Sequence, residues 1–326
     1  MHEIEVRDLR KTYPGGVEAL KGIDFDVESG EVFALLGPNG AGKSTTIGIL
    51  TTTVAPTGGS ASLGGYDVAT EPLLARSVSS VVFQEPVVDG SLTGRQNLEL
   101  HARLWAVDPG RAARRIEELT GSLGISELVD RPVEGYSGGE RRRLEIARAL
   151  VSEPEVLFLD EPTVGLDPRI RQELLDVIAS LRAREDVTIL VTTHYLDEAQ
   201  RLADRVAIVH QGEFVALDTP HALLSGLGDE VLEFRAVGSA EAALQALRAR
   251  GMAGSDAFAL GARVTVPLHE RPAAAALEAI QSEGVRVAEI QVRVPTLDDV
   301  YIQLTGTRFG ASPEHEVNGA RFGEPN

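Results

Sequence analysis

Short apolar runs recur through the first two thirds of the chain, at Val32-Phe-Ala-Leu-Leu36, Ser80-Val-Val-Phe83, Val156-Leu-Phe-Leu159 and Thr188-Ile-Leu-Val191. Their length and their polar, turn-forming borders predict buried strands, and the amphipathic stretches between them predict helices. Such alternation implies an α/β domain with a largely parallel sheet as far as about residue 220. Each run stops at polar residues: a glycine-rich segment, Gln84, Asp160-Glu161, and Thr192-Thr193-His194. In an open parallel sheet ligands bind outside the carboxyl ends of the strands, so these distant segments are expected to converge on one site.

The stretches over 92–98, 99–107 and 109–119 read as helices, with capping-box spacing between Thr93 and Gln96. A second capping box joins Ser137 to Glu140 ahead of the amphipathic run 141–150, whose Arg141, Arg142 and Arg143 read as a solvated basic face. Gly138 and Gly139 then fall in a first helical turn, where each costs up to ~1 kcal/mol relative to alanine, so something is expected to approach that backbone closely. Beyond 220 the pattern changes to a strand over 230–234, a helix over 240–250, a hairpin over 258–268 turning at Leu260-Gly261, a helix over 271–282 and a strand over 285–294. This βαββαβ order predicts a small ferredoxin-like α+β domain. A closing helix is expected from Thr296, with Leu297, Val300, Tyr301 and Leu304 on one face. The boundaries that follow are 1–222, including a helical subdomain over about 86–150, then 228–306, and a tail over 307–326 expected to be disordered from its Gly, Pro, Glu and Asn content.

Composition narrows the possibilities. At 326 residues the chain exceeds what one core usually organises. No stretch approaches the eighteen or more uncharged apolar residues of a membrane span, and the N-terminus lacks the basic start and apolar centre of a secretory signal. With no cysteine for disulfides, the expectation is a cytosolic protein, soluble when expressed alone. A net charge of −18 argues against broad contact with nucleic acid and leaves protein as the expected partner.

Residues Gly37, Pro38, Asn39, Gly40, Ala41, Gly42, Lys43, Ser44 and Thr45 form a phosphate-binding loop between a predicted strand and a helix-like stretch over 45–51. Glycines let the backbone wrap a phosphate, the N–H groups of the following helix start face the anion, Lys43 supplies a compact charge and Ser44 can ligate Mg²⁺. Only three of the chain's 31 basic residues are lysines, yet one stands here, where an ammonium suits the phosphates better than a planar guanidinium. Asp160 is expected to hold Mg²⁺ directly or through water, and Glu161 to act as general base on an attacking water. Gln84 is placed to reach the metal or water, and His194 to bond the γ-phosphate or hold Glu161 and water. Ser137, Gly138 and Gly139 form a second anion-facing element.

Taken in order, the phosphate loop, Gln84, Tyr136-Ser-Gly-Gly-Glu140, Asp160-Glu161, Gly165-Leu-Asp167 and His194 resemble an ATP-binding cassette (ABC) ATPase. The resemblance implies ATP and Mg²⁺ as ligands and a dimer, of like or unlike cassettes, in which Ser137 and Gly139 of one copy meet the γ-phosphate held by the other. It also implies that Tyr13 stacks on adenine and that Asp167 couples the two sites. Tyr136 in place of leucine and Glu140 in place of glutamine depart from the commonest signature, and Glu140 adds negative charge near the γ-phosphate unless it caps its own helix. With Leu92-Thr-Gly-Arg-Gln-Asn-Leu98, Thr193-His-Tyr-Leu-Asp-Glu-Ala199 and the C-terminal helix, the chain is similar to ATPase subunits of daunorubicin/doxorubicin-resistance exporters. That implies ATP hydrolysis at the cytoplasmic face of the membrane, with a separate permease docking near Leu104 and Trp105. Lipid, polysaccharide or haem-related cargo is the alternative, and a regulatory ABC ATPase the less favoured one.

Overall fold

The computed structural model describes residues 2–269, 272–282 and 286–309. Its chain divides into two compact units, Met1–Leu36 with Gly40–Phe214, and Gly37–Asn39 with Val215–Asn326. That division falls upstream of the boundary expected at 222.

The first unit begins with β1 (His2–Tyr13) and β2 (Val17–Glu28), a hairpin closed by Pro14-Gly15-Gly16 with both glycines at positive φ. There follow β3 (Val32–Leu36), α1 (Lys43–Leu50), β4 (Gly58–Leu63), β5 (Tyr66–Asp67), α2 (Pro72–Ser77) and β6 (Ser79–Val82). Next come α3 (Gly94–Leu104), α4 (Pro109–Ser122), α5 (Gly138–Leu150), β7 (Val156–Asp160), α6 (Pro168–Glu185), β8 (Thr188–Thr193), α7 (Leu196–Leu202), β9 (Arg205–His210) and β10 (Glu213–Asp218). The six-stranded sheet has the order β10-β9-β3-β8-β7-β6, with β3, β6, β7, β8 and β9 parallel. Both faces are covered, which is why β3, β7 and β8 are buried along their whole length and read as continuous apolar runs. All four expected strands are present, and parallel pairing puts their polar ends along one edge.

A second, antiparallel sheet, ordered β2-β1-β4-β5, is not among the elements the apolar runs predict. Its buried residues Ile4, Val6, Leu9, Leu20, Ile23, Phe25 and Val27 lie on long strands whose register shifts break simple alternation. Between β6 and β7 the chain folds into α3, α4 and α5, and both capping boxes form as the spacing predicts.

In the second unit, α8 (Pro220–Ser225) precedes β11 (Val231–Ala236), α9 (Ala240–Ala249), β12 (Phe258–Leu260), β13 (Arg263–Pro267), α10 (Ala273–Ser282), β14 (Val287–Arg293) and α11 (Leu297–Thr305). The antiparallel order β12-β13-β11-β14 is that of a ferredoxin-like βαββαβ sheet. Leu232, Phe234, Leu244, Leu247, Val264, Val266 and Ile280 form its own core. Leu297, Val300 and Tyr301 are buried as expected of α11, whereas Leu304 is 46% exposed. Most of the expected disordered tail, residues 310–326, lies outside the described residues; before it, Phe309 sets its ring edge-on against Tyr301.

Candidate functional site

The loop 37–45 leaves β3 and enters α1 at Lys43. Gly42 takes φ 114, and a Cβ there would come within 2.7 Å of the Ala19 carbonyl oxygen, so the turn requires glycine twice over, by torsion and by space. Gly40 is also at positive φ. Lys43 is 4% exposed, and burial lowers its pKa against the opposing pull of Glu161 and Asp160. Its Nζ lies 3.2 Å from Glu161 Oε1. Ser44 Oγ donates to Asp160 Oδ1 at 3.4 Å, and the Tyr13 hydroxyl lies 3.4 Å from Thr45 Oγ1.

Segments distant in sequence thus meet, from the end of β1, the β3–α1 loop and the end of β7. Glu161 stands at φ 45, a left-handed conformation that a glutamate adopts only when its surroundings hold it there. Its N–H donates to Thr192 Oγ1 at 2.9 Å, and the Thr192 hydroxyl donates to Asp160 Oδ1 at 2.5 Å. From the end of β8, His194 Nδ1 approaches Glu161 Oε2 to 3.2 Å without an aligned hydrogen bond. Gln84, two residues past β6, is exposed, and no hydrogen bond or ion pair ties it to Lys43, Asp160 or Glu161 among the described residues.

Arg142 corrects the expectation of a solvated basic face. Its guanidinium is buried and donates to the carbonyl oxygens of Phe83, Asp160, Glu161 and Pro162 and to Glu145. It thereby fixes from below the backbone that carries Gln84, Asp160 and Glu161. Glu198 is a second residue the motifs do not single out. Buried at 2% exposure, it accepts from Thr163 Oγ1 at 2.5 Å and Thr193 Oγ1 at 2.6 Å, with Arg171 Nε at 2.8 Å. One carboxylate therefore joins the segment after Glu161, the strand before His194 and α6. The available signal was Glu198 at helical spacing just after His194, with two threonines before that histidine; pattern alone reads it as a surface helix.

Ser137 caps α5 by accepting from Glu140 N at 3.3 Å, and Glu140 returns the bond to Ser137 N at 2.8 Å. The Glu140 carboxylate is thus turned onto its own helix start. The close approach expected at Gly138 and Gly139 comes from within the chain, since a Cβ on Gly139 would overlap Ile170 Cγ2 and one on Gly138 would lie 3.2 Å from Leu166 Cδ2. Ser137 and Gly138 are exposed, as is Asp167, which caps α6 by accepting from Ile170 N. Among the described residues no hydrogen bond or ion pair ties these three to Lys43 or Glu161.

The donor set fits a phosphate-bound divalent cation better than a free one. Ser44 Oγ and Asp160 sit together, but no group of three or more His, Asp or Glu side chains among the described residues could hold a metal, so phosphate oxygens would have to complete the coordination.

Residues 20–164 match the family described as ABC transporter. The chain is 42% identical over 309 residues to the daunorubicin/doxorubicin resistance ATP-binding protein DrrA of Streptomyces peucetius, covering 93% of this chain and 92% of that one. It is 33% identical to the linearmycin resistance ATP-binding protein LnrL of Bacillus subtilis, over 93% of this chain and 98% of that one. A Nod factor export ATP-binding protein I of Burkholderia orbicola is 40% identical over 71% of this chain and 75% of its own. Among solved structures, cbiO1 from Clostridium perfringens, part of the ABC transporter complex cbiONQ, superposes with a TM-score of 0.65 at 29% identity over 69% of this chain and 91% of its own. The post-hydrolysis dimer of the ATP-binding cassette MJ0796 bound to ADP and Pi gives 0.60 at 25% identity over 66% and 98%.

Proposed function

This chain belongs to the ABC transporter family as an ATP-binding, ATP-hydrolysing subunit of an exporter, and from that premise we propose that it drives efflux of a hydrophobic drug or antibiotic, of anthracycline type, through a separate membrane permease. The observation that carries the cargo reading is coverage. Similarity to drug-resistance ATP-binding proteins extends over 93% of the chain, second unit included, whereas similarity to the Nod factor exporter stops at 71%. Lipid or polysaccharide export, powered by the same motor, is therefore the second choice. Among the described residues no helix is long and apolar enough to cross a membrane, so the proposed place is peripheral, at the cytoplasmic face, carried by the permease.

In the proposed mechanism, ATP lies with its phosphates over Gly37–Thr45 and its adenine against Tyr13. Lys43 leaves Glu161 for the phosphates as they enter, which frees the carboxylate to take a proton from the attacking water. Mg²⁺, when bound through Ser44, Asp160 and Gln84, supplies positive charge on the phosphate oxygens. His194 holds Glu161 and the water in line. The outward-facing Ser137, Gly138 and Asp167 are offered to a second cassette. The Ser137 oxygen already accepts from Glu140 N, which leaves its hydroxyl proton to donate to a γ-phosphate held across a dimer.

The test is ATPase activity and cargo uptake in membrane vesicles containing this subunit and a candidate permease, comparing an anthracycline with a lipid-linked sugar, and Lys43→Ala as blank. Stimulation and uptake by the anthracycline alone supports the assignment. Hydrolysis with neither cargo affecting rate or uptake sinks the drug reading and leaves the motor.

A further inference from the structure

The second unit carries a cavity of about 420 Å³ on the face of its sheet turned away from α9 and α10. Alternation sets that face. Leu232, Phe234, Val264 and Val266 enter the core, so Glu233 of β11 and Thr265 of β13, which pair with each other, stand on the other side, with Phe258 of β12 in register with Thr265. From α11 come Asp298, Asp299 and Ile302, and Arg308 and Phe309 follow that helix. Most of the charge here is spent within the protein. Arg293 of β14 donates through Nε and Nη2 to Glu233 Oε2, at 2.9 and 2.7 Å, and through Nη1 and Nη2 to the two Asp299 oxygens, at 2.7 and 2.8 Å. Glu233 Oε1 takes Arg263, and Asp299 Oδ2 also accepts from the N–H and hydroxyl of Thr296.

Two polar groups on the cavity wall are left over. Thr265 is 5% exposed, and among the described residues its hydroxyl has no hydrogen-bond partner. Asp298 is half-buried and joins no ion pair among the described residues; burial, then the neighbouring Asp299, raise its pKa against the weaker pull of Arg308, Arg293 and the Phe309 N–H. Arg308, exposed beside the cavity, is likewise in no ion pair among the described residues. A buried hydroxyl without a partner costs stability and is expected where a ligand completes it. That ligand is not a metal ion, because arginines already hold Glu233 and Asp299. Phe258, Leu260, Ile302 and Phe309 supply apolar wall, and the volume lies in the range of small-molecule pockets, roughly 300–1,000 Å³.

We propose that this cavity binds a small zwitterion with an apolar body, of the class of an apolar or aromatic α-amino acid, its ammonium against Asp298 and Thr265 Oγ1, its carboxylate against Arg308 and its body among the aromatic and aliphatic walls. The Arg293–Glu233–Asp299 frame is neutralised internally and holds the site in shape without competing for the ligand. An amine alone would bring a second cation to Arg308, and an acid alone a second anion to Asp298, so only a ligand carrying both charges meets both groups. All of these residues lie in the second unit, and nothing in the site depends on which cargo the first unit powers.

The probes are L-phenylalanine, phenethylamine, which lacks the carboxylate, and hydrocinnamate, which lacks the ammonium, each titrated into the full chain by isothermal calorimetry at neutral pH. L-Phenylalanine is expected to bind at least about tenfold tighter than either of the others. Asp298→Asn is expected to erase its advantage over hydrocinnamate, and Arg308→Met its advantage over phenethylamine. Thr265→Val weakens L-phenylalanine and phenethylamine while sparing hydrocinnamate. Glu241→Gln, at an exposed position of α9, leaves all three affinities unchanged. Cooperative thermal unfolding of each unliganded variant shows that it is folded. Phenethylamine or hydrocinnamate binding as tightly as L-phenylalanine overturns the zwitterion, and an advantage that survives in both Asp298→Asn and Arg308→Met overturns the roles of those residues. Absence of binding by all three probes at millimolar concentration overturns the site.

Discussion

Glu161 carries its carboxylate on a backbone at φ 45, with Thr192 on its N–H, Arg142 on its carbonyl, and Lys43 and His194 within 3.2 Å of its two oxygens. Strain held by so many partners is the mark of a positioned group. Glu161→Gln is expected to keep ATP binding and lower turnover by roughly 10²–10³, measured as single-turnover hydrolysis. Full-rate hydrolysis would remove Glu161 from the base role. Thr192→Val tests positioning instead. It removes the bonds to Asp160 Oδ1 and Glu161 N without changing shape, so kcat is expected to fall with ATP affinity little altered, at a stability cost of about 1–3 kcal/mol. At this scale the residues proposed to react were legible because phosphate chemistry demands particular residue types at particular strand ends. Their supports were not, since a buried Arg142 and a surface arginine look the same in a helical pattern.

Between elements, the signature region departs from the common family pattern at Tyr136, and its surroundings explain how. The phenol is buried and donates to the Leu128 carbonyl oxygen at 2.5 Å, and a Cβ on Gly94 would lie 2.6 Å from that hydroxyl. Gly94, at the first position of α3, thus makes room for the tyrosine of the segment that leads into α5. Gly94→Ala is expected to destabilise the chain by about 1–3 kcal/mol, and Tyr136→Leu to relieve most of that in the double variant. Additive effects in denaturant unfolding would show that the two do not compete for space. Gly139→Ala meets Ile170 in the same way, so loss of activity there reports displacement of α5 from α6 as well as any lost contact with phosphate. Helix starts and capping boxes could be read from spacing because they are local; the approach of Ile170 to Gly139 joins positions distant in sequence, and spacing carries no trace of it.

For the whole molecule, two separate cores predict separable unfolding transitions. Phe234→Ala, in the core of the second unit, is expected to lower one of them by about 3–5 kcal/mol, visible by calorimetry. Acid stability has a defined source in His101. Its folded pKa of about 4 lies below the ordinary value of 6.5, so the unfolded chain binds more protons between those pH values and stability falls as pH drops through them. That loss amounts to about 3 kcal/mol, and His101→Gln should flatten the slope between pH 6.5 and 4. What the sequence by itself determined is the glycine-rich loop after β3, the four strands whose polar ends lie along one edge, and the βαββαβ order of the second unit. Each depends on local torsional preference, burial period or residue chemistry, all of which act over a few neighbouring positions. Tertiary structure alone decided that the β1–β2 sheet completes the first unit, that Arg142 and Glu198 hold the backbone around Glu161, and that Arg148 is buried beside His101. Those outcomes depend on which distant groups share a buried volume, where a charge must find a partner or remain costly, and no pattern along one stretch of chain records that.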